Sequence, residues 1–175
     1  MQPNSPAKPR LRTRILPPAP FALALGLGWW TGQSGLGQLR WFGSPDLEPA
    51  LITLGWLMVS LGLLLMTAAV LTLWRHRTTV NPFGRARTLC VTGPFAWSRN
   101  PIYLADFLVL LGGGWVLNSV WPAVLAPAIG WLIRHHVVAH EEAFLSAEFG
   151  PAYDDYLARV NRWFGRKKTP AQGRG

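Results

Sequence analysis

Residues 50–74 read ALITLGWLMVSLGLLLMTAAVLTLW, an almost purely apolar run that opens after Pro49. A helix needs about 20 apolar residues to cross the hydrocarbon core of a bilayer, and this stretch exceeds that length. Arg75, His76 and Arg77 end it abruptly. Composition agrees with a membrane reading. Half of the 175 residues are hydrophobic and only 14% are charged, with ten Trp, whereas an ordinary soluble domain is about a quarter charged.

Upstream, residues 1–14 form a basic, proline-containing arm with Lys8, Arg10, Arg12 and Arg14. Residues 15–31 (ILPPAPFALALGLGWWT) are a weaker span, crowded by Pro17, Pro18 and Pro20 at the start. A signal peptide competes for this stretch, but no small-x-small cleavage site stands out. Trp29 and Trp30 suit a membrane interface. Residues 15–74 thus hold two N-terminal transmembrane helices joined by a Gly-rich loop.

Downstream, residues 75–100 are polar and turn-rich. Their core, TLCVTGPFAWSRNPIY (88–103), is punctuated by Gly93-Pro94 and Pro101, which mark a loop. Two more apolar segments follow, 101–119 and 121–139, linked near Asn118, Ser119 and Pro122. So short a link makes an antiparallel helical hairpin. Beyond His140, Phe144, Leu145, Phe149, Tyr153, Tyr156, Leu157, Val160 and Phe164 recur at helical spacing. Gly150-Pro151 breaks this amphipathic tail into two helices. Residues 165–175 read as disordered.

The expected fold is therefore all-α and integral to the membrane, with about four transmembrane helices. Charge supports the count. The net charge is +9, and Lys and Arg number four in the arm, five in 75–100, six after 140 and one in 32–48. With four spans the three rich segments share one side, which the positive-inside rule makes cytoplasmic. No motif interleaves the basic residues with stacking aromatics, so nucleic acid is excluded as a partner. One cysteine, Cys90, excludes an internal disulfide and a cysteine-based zinc cluster. Membrane lipid is the expected partner of most loop arginines, which mark topology or meet headgroups, and no feature points to a protein partner.

An antiparallel hairpin returns the chain to one membrane face. Arg99, Asn100, Tyr103, His140, Glu141 and Glu142 should therefore converge at its cytoplasmic mouth. Asp106 and Arg134 lie deeper and are expected to face the interior or each other, since unpaired charge there is costly. Glu141 and Glu142 also suit the first turn of a helix. His135 and His136 point to different helix faces. His136 and His140 share one but lack the intervening glutamate of a zinc protease and a third ligand, so no metal site is expected.

The segments TTVNPF (78–83), LCVTGPFAWSRNPIYLADF (89–107) and HEEAFLSAEFGPAYDDYLARVNRWF (140–164) resemble the isoprenylcysteine carboxyl methyltransferases and the related phospholipid methyltransferases. The resemblance covers residues 75–164 and implies a membrane methyltransferase that uses S-adenosylmethionine. It places the cofactor against Thr88, Leu89, Cys90, Phe95, Asn100, Pro101, Ile102, Tyr103 and Glu141. Arg99 and Glu142 are the catalytic candidates beside it, and the implied acceptor is small or lipid-like, entering from the membrane. Three positions depart from the family pattern. Asn100 stands where eukaryotic members carry His, Ala105 where Gly is common, and Val137 where the prenylcysteine enzymes carry a substrate-contacting Arg. Asn100 cannot serve as a base near neutrality, and the prenylcysteine acceptor is not carried over. Two rivals remain: a sterol-reductase-like membrane enzyme using NADPH, and a non-catalytic protein that keeps the fold.

Overall fold

The computed structural model describes residues 16–39, 47–76 and 88–167. The arm of residues 1–14, the TTVNPF segment and the tail beyond residue 167 lie outside the described residues. The described residues form six α-helices: α1 (Ala19–Ser34), α2 (Leu47–Arg75), α3 (Pro101–Val116), α4 (Trp121–Ile133), α5 (Ala139–Phe149) and α6 (Pro151–Arg159). Among the described residues no strand forms, and the isolated bridges are Gln38–Ser119 and Val160–Arg166.

Of these helices, α2 is long and apolar enough to cross a membrane. Its 29 residues correspond to roughly 44 Å at 1.5 Å per residue. Helix α3 is apolar but has 16 residues, about 24 Å, which falls short of a hydrocarbon core of about 30 Å. Helix α1 has the same length, 16 residues. By length and composition one helix among the described residues is a clear span, and four are not shown.

α2 and α3 pack antiparallel along a seam of small residues. A methyl group on Gly55 would come within 2.8 Å of the Gly112 carbonyl oxygen, and one on Gly62 within 2.9 Å of the Ala105 carbonyl oxygen. Gly55, Gly62 and Ala69 recur every seventh residue and are the buried stripe of α2, with Leu73. A seven-residue repeat keeps one face turned to the partner helix, and small residues let the backbones approach.

Helix α1 packs on α3 and α4. Phe21 meets the edge of Phe107 at 5.0 Å between ring centres. Thr31 Oγ1 lies 3.0 Å from Ser119 Oγ in a buried contact. The two ends of the bundle are thereby defined. At one, Gln38 and Leu39 meet the α3–α4 turn. At the other, the start of α1, the end of α2, the start of α3 and α5 meet.

Helices α4 and α5 form one rod. Ile133, Arg134, Val138 and Ala139 are all in helical conformation, joined by a π-helical turn over Arg134–Val138. Glu141 and Glu142 therefore lie in mid-rod, and their reading as acids at a fresh helix N-terminus does not apply. The rod ends at Gly150, whose φ of 51° suits glycine, and Pro151 opens α6. Gly165, Arg166 and Lys167, expected within a disordered tail, are instead tied down: the Gly165 amide donates to the Trp97 carbonyl at 2.8 Å and that of Lys167 to Arg159 at 2.9 Å.

Candidate active site

The loop between α2 and α3 is the element that the rest of the mouth holds. His76 Nε2 lies 2.8 Å from Thr92 Oγ1 at its start. Gly93, with φ of 58°, allows the chain to rest on Thr72 of α2, where an added methyl would meet Oγ1 at 2.9 Å. A 3-10 turn over Gly93–Ala96 follows. The C-terminal segment then clamps the loop from above, largely through backbone carbonyls. Tyr156 OH donates to the Phe95 carbonyl at 2.7 Å, the Arg99 amide donates to Asn161 at 3.2 Å, and Asn100 Nδ2 donates to the Arg162 carbonyl at 3.0 Å.

A cavity of about 550 Å³ opens beneath this loop, lined by Phe95, Arg99, Asn100, Pro101, Ile102, Tyr103, Asp106 and Glu141. Leu16, Pro17 and Pro18 at the start of α1, with Met66 and Leu73 of α2, complete it. Tyr103 OH donates to Glu141 Oε1 at 3.0 Å, bridging α3 and α5. Burial holds the Glu141 carboxyl above its ordinary range, the Tyr103 hydrogen bond opposes this, and the charge of Glu142 adds to it.

Glu142 is not among the residues that line the cavity. Its Oε1 lies 3.0 Å from Arg99 Nη1 and accepts from Arg162 Nε at 3.0 Å, while Arg162 Nη2 pairs with its other oxygen. The hydrogen bond that Arg162 donates to Glu142 is the main cause that raises the Arg162 pKa. Arg99 is different. Its side chain is only 10% exposed, Nη1 is held in the ion pair with Glu142, and Nε has no hydrogen-bond acceptor among the described residues. A buried donor in a cavity wall left without an acceptor, as Arg99 Nε is, fits an anionic ligand group. Tyr153 and Tyr156 back this network. Burial, then the charge of Glu142, pushes the Tyr153 phenol up to about 12, and Arg99 opposes the shift.

The structure thus gathers Phe95, Arg99, Asn100, Pro101, Ile102, Tyr103 and Glu141 around one space. Thr88, Leu89 and Cys90 lie elsewhere. Thr88 Oγ1 donates to the His76 carbonyl at 3.0 Å, Leu89 packs against Tyr153, Tyr156 and Val160, and Cys90 is buried. His140 is exposed. Asp106 and Arg134 do not face one another: Asp106 lines the cavity, and Arg134 lines a separate groove across α3. The residues that sequence reasoning missed are Met66, Leu73 and Arg162, together with Leu16, Pro17 and Pro18 at the start of α1. The first two flank the Gly62–Ala69 stripe, and that seven-residue spacing is the signal for them; Arg162 carries none. Among the described residues no three metal-ligating side chains cluster.

The family model for phospholipid methyltransferase matches residues 50–152. Among curated proteins, the chain is 36% identical over 132 residues to the cobalt-zinc-cadmium resistance protein CzcN of Cupriavidus metallidurans, covering 74% of this chain and 56% of that one. It is 31% identical over 121 residues to the nickel-cobalt-cadmium resistance protein NccN of Alcaligenes xylosoxydans xylosoxydans, covering 69% and 52%. The chain spans about half the length of these relatives. No solved structure matches it.

Proposed function

The chain belongs to the phospholipid methyltransferase family, and on that premise we propose that it is an S-adenosylmethionine-dependent membrane methyltransferase acting on a small or lipid-like acceptor. The observation that carries this reading is the buried Nε of Arg99, which has no acceptor among the described residues, in the cavity that also holds the Tyr103–Glu141 pair. A ligand with a carboxylate, an ammonium and a ribose diol suits that combination. When bound, the cofactor supplies a methyl group activated by its sulfonium charge.

The chain's own residues then have distinct tasks. Arg99 binds a carboxylate, that of the cofactor or of the acceptor, through its planar fork. Glu141 accepts from ribose hydroxyls or the ammonium, and the Tyr103 hydroxyl fixes its orientation. Phe95 covers an aromatic face and favours the cation. Glu142 is a positioning residue that sets the Arg99 side chain. Positioning and desolvation supply most of the effect in such a transfer, and a carboxylate acceptor is already an anion that needs no base. We therefore favour a carboxylate on an apolar molecule. An amine is second, because Asp106 lines the same cavity and can take its proton.

The resistance named for the two relatives concerns metals; in this chain we assign the cavity to cofactor and acceptor. The reductase reading is disfavoured because Arg99 is the single cation of the cavity lining among the described residues, too little for a dinucleotide's phosphates. Four passes with a cytoplasmic site belong to this proposal, supported by the Lys and Arg distribution and by the meeting of the 88–103 loop with α5 and α6 at one end.

Calorimetric titration of the detergent-purified protein with S-adenosylmethionine and NADPH tests it. Saturable binding of S-adenosylmethionine, weakened at least about tenfold by Glu141→Ala, Tyr103→Ala or Arg99→Ala, is expected, the size of one charge-assisted contact. NADPH binding alone would move the protein to the reductases. Binding of neither by a folded sample would end the enzyme reading.

A further inference from the structure

Across α3 from the candidate active site runs a second groove, of about 720 Å³, between α3, α4 and the C-terminal segment. Leu104, Phe107, Leu108 and Leu111 form its α3 wall, Gly130 and Trp131 its α4 wall, and Trp163 and Phe164 close it from above. Its two titratable groups, Arg134 and His135, are consecutive at the start of the π-helical turn. They stand at the mouth end of the groove, since α4 runs toward the mouth. The α3 wall runs the other way, from Leu104 near the mouth to Leu111. The groove is therefore cationic at the polar end and apolar along its length.

Arg134 is exposed, and among the described residues no carboxylate pairs with it. The His135 ring donates from Nδ1 to the Trp131 carbonyl at 2.8 Å, and that ring stacks near Trp131 at 5.1 Å. Trp131 and Phe164 are 59% and 75% exposed, an aromatic setting typical of the headgroup level. Of the segments outside the described residues, 1–15, 77–87 and 168–175 contain Lys or Arg and no acid, and 40–46 holds a single acid, Asp46. Basic pockets between membrane helices bind the headgroups of anionic lipids.

We propose that this groove holds an anionic phospholipid of the surrounding membrane. Its phosphate sits between Arg134 and His135, and one acyl chain lies along Leu104, Leu108 and Leu111. The site is separate from the cofactor cavity and does not depend on the methyltransferase reading.

Native mass spectrometry of the detergent-purified full chain tests this, with phosphatidylglycerol, phosphatidylcholine or glycerol phosphate added. Phosphatidylglycerol should be retained in preference to phosphatidylcholine, and Arg134→Gln should cut that preference about fivefold, the weight of one basic residue against an anionic surface. Arg134→Lys should keep the preference, and Leu111→Trp, which fills the wall, should lower retention of both lipids. Should Arg134→Gln not fold, the lysine and tryptophan variants decide alone. Equal retention of the two lipids by the unmodified chain would overturn the proposal. So would an unchanged preference in Arg134→Gln. Displacement of the lipid by equimolar glycerol phosphate would reduce the site to one for a soluble anion and overturn it as well.

Discussion

Helix α3 is held along its length by missing side chains and at its start by an excess of polar ones. On the α2 side, Gly55 and Gly62 bring backbone against backbone, with Gly112 and Ala105 opposite. At the mouth, Arg99, Asn100 and Tyr103 are each bound by groups from the C-terminal third of the chain. The seam fixes position by shape and holds no ligand. The mouth fixes position by hydrogen bonds and ion pairs and leaves Arg99 Nε without an acceptor among the described residues. A change in the seam should thus cost folding, whereas a change at the mouth should separate stability from binding.

The largest effect expected is in the seam. In Gly62→Leu the new side chain meets the Ala105 carbonyl and Leu108 Cβ, neither of which can turn away. Overpacking against fixed backbone costs about 3 kcal/mol. Thermal unfolding in detergent should show a lower midpoint than for the unmodified chain, and Gly26→Leu is the control, because Gly26 has open space around its Cβ position. Equal losses in the two variants would mean that the seam is no tighter than the rest of the bundle.

Next is Glu142→Gln at the mouth. It removes the counter-charge of Arg99 and Arg162, whose side chains are 10% and 31% exposed. Removing one partner of a buried pair is strongly destabilising, and partial exposure brings the cost to about 2 kcal/mol. Because Glu142 positions Arg99, the variant should also weaken S-adenosylmethionine in calorimetry. Lost stability with unchanged cofactor affinity would make Glu142 a purely structural residue.

What was legible in the sequence divides along the same line. Local features were read well. The apolar run of 50–74 lies within α2, and Gly150-Pro151 breaks the tail because proline has no N–H to continue a helix. The meeting of Tyr103 with Glu141 followed from hairpin geometry alone. The misses need three-dimensional information. A π-helical turn over RHHVV has no residue signature, and it is what makes Glu141 and Glu142 mid-rod residues. The clamp from Asn161 and Arg162 acts through carbonyls that every residue possesses. Asp106 and Arg134 were separable in principle. Asp106 is two residues from both Leu104 and Leu108, about 200° around the helix from each. The seven-residue spacing of Gly55, Gly62 and Ala69 was also present in the sequence, as the stripe that sets which face of α2 meets α3.

The smallest effect concerns Glu141, where stability and binding should move in opposite directions. Its carboxyl is raised above the ordinary value chiefly by burial, against the opposing Tyr103 hydrogen bond. A raised folded-state pKa means that the native protein holds the proton more tightly than the unfolded chain. This contribution to stability is fully present below the unfolded value of 4.5 and is lost as pH rises through the folded value. Glu141→Gln keeps an oxygen for the Tyr103 hydroxyl and removes the buried charge. The variant should therefore melt at a slightly higher temperature than the unmodified chain at pH 8, with the gap closing toward pH 4. Its cofactor affinity should fall at pH 8, because the ligand's hydroxyls or ammonium lose an anionic acceptor. A variant that melts lower at pH 8 would show that the charged form is stabilised in the folded protein, and the mouth would then resemble the seam in being built for stability first.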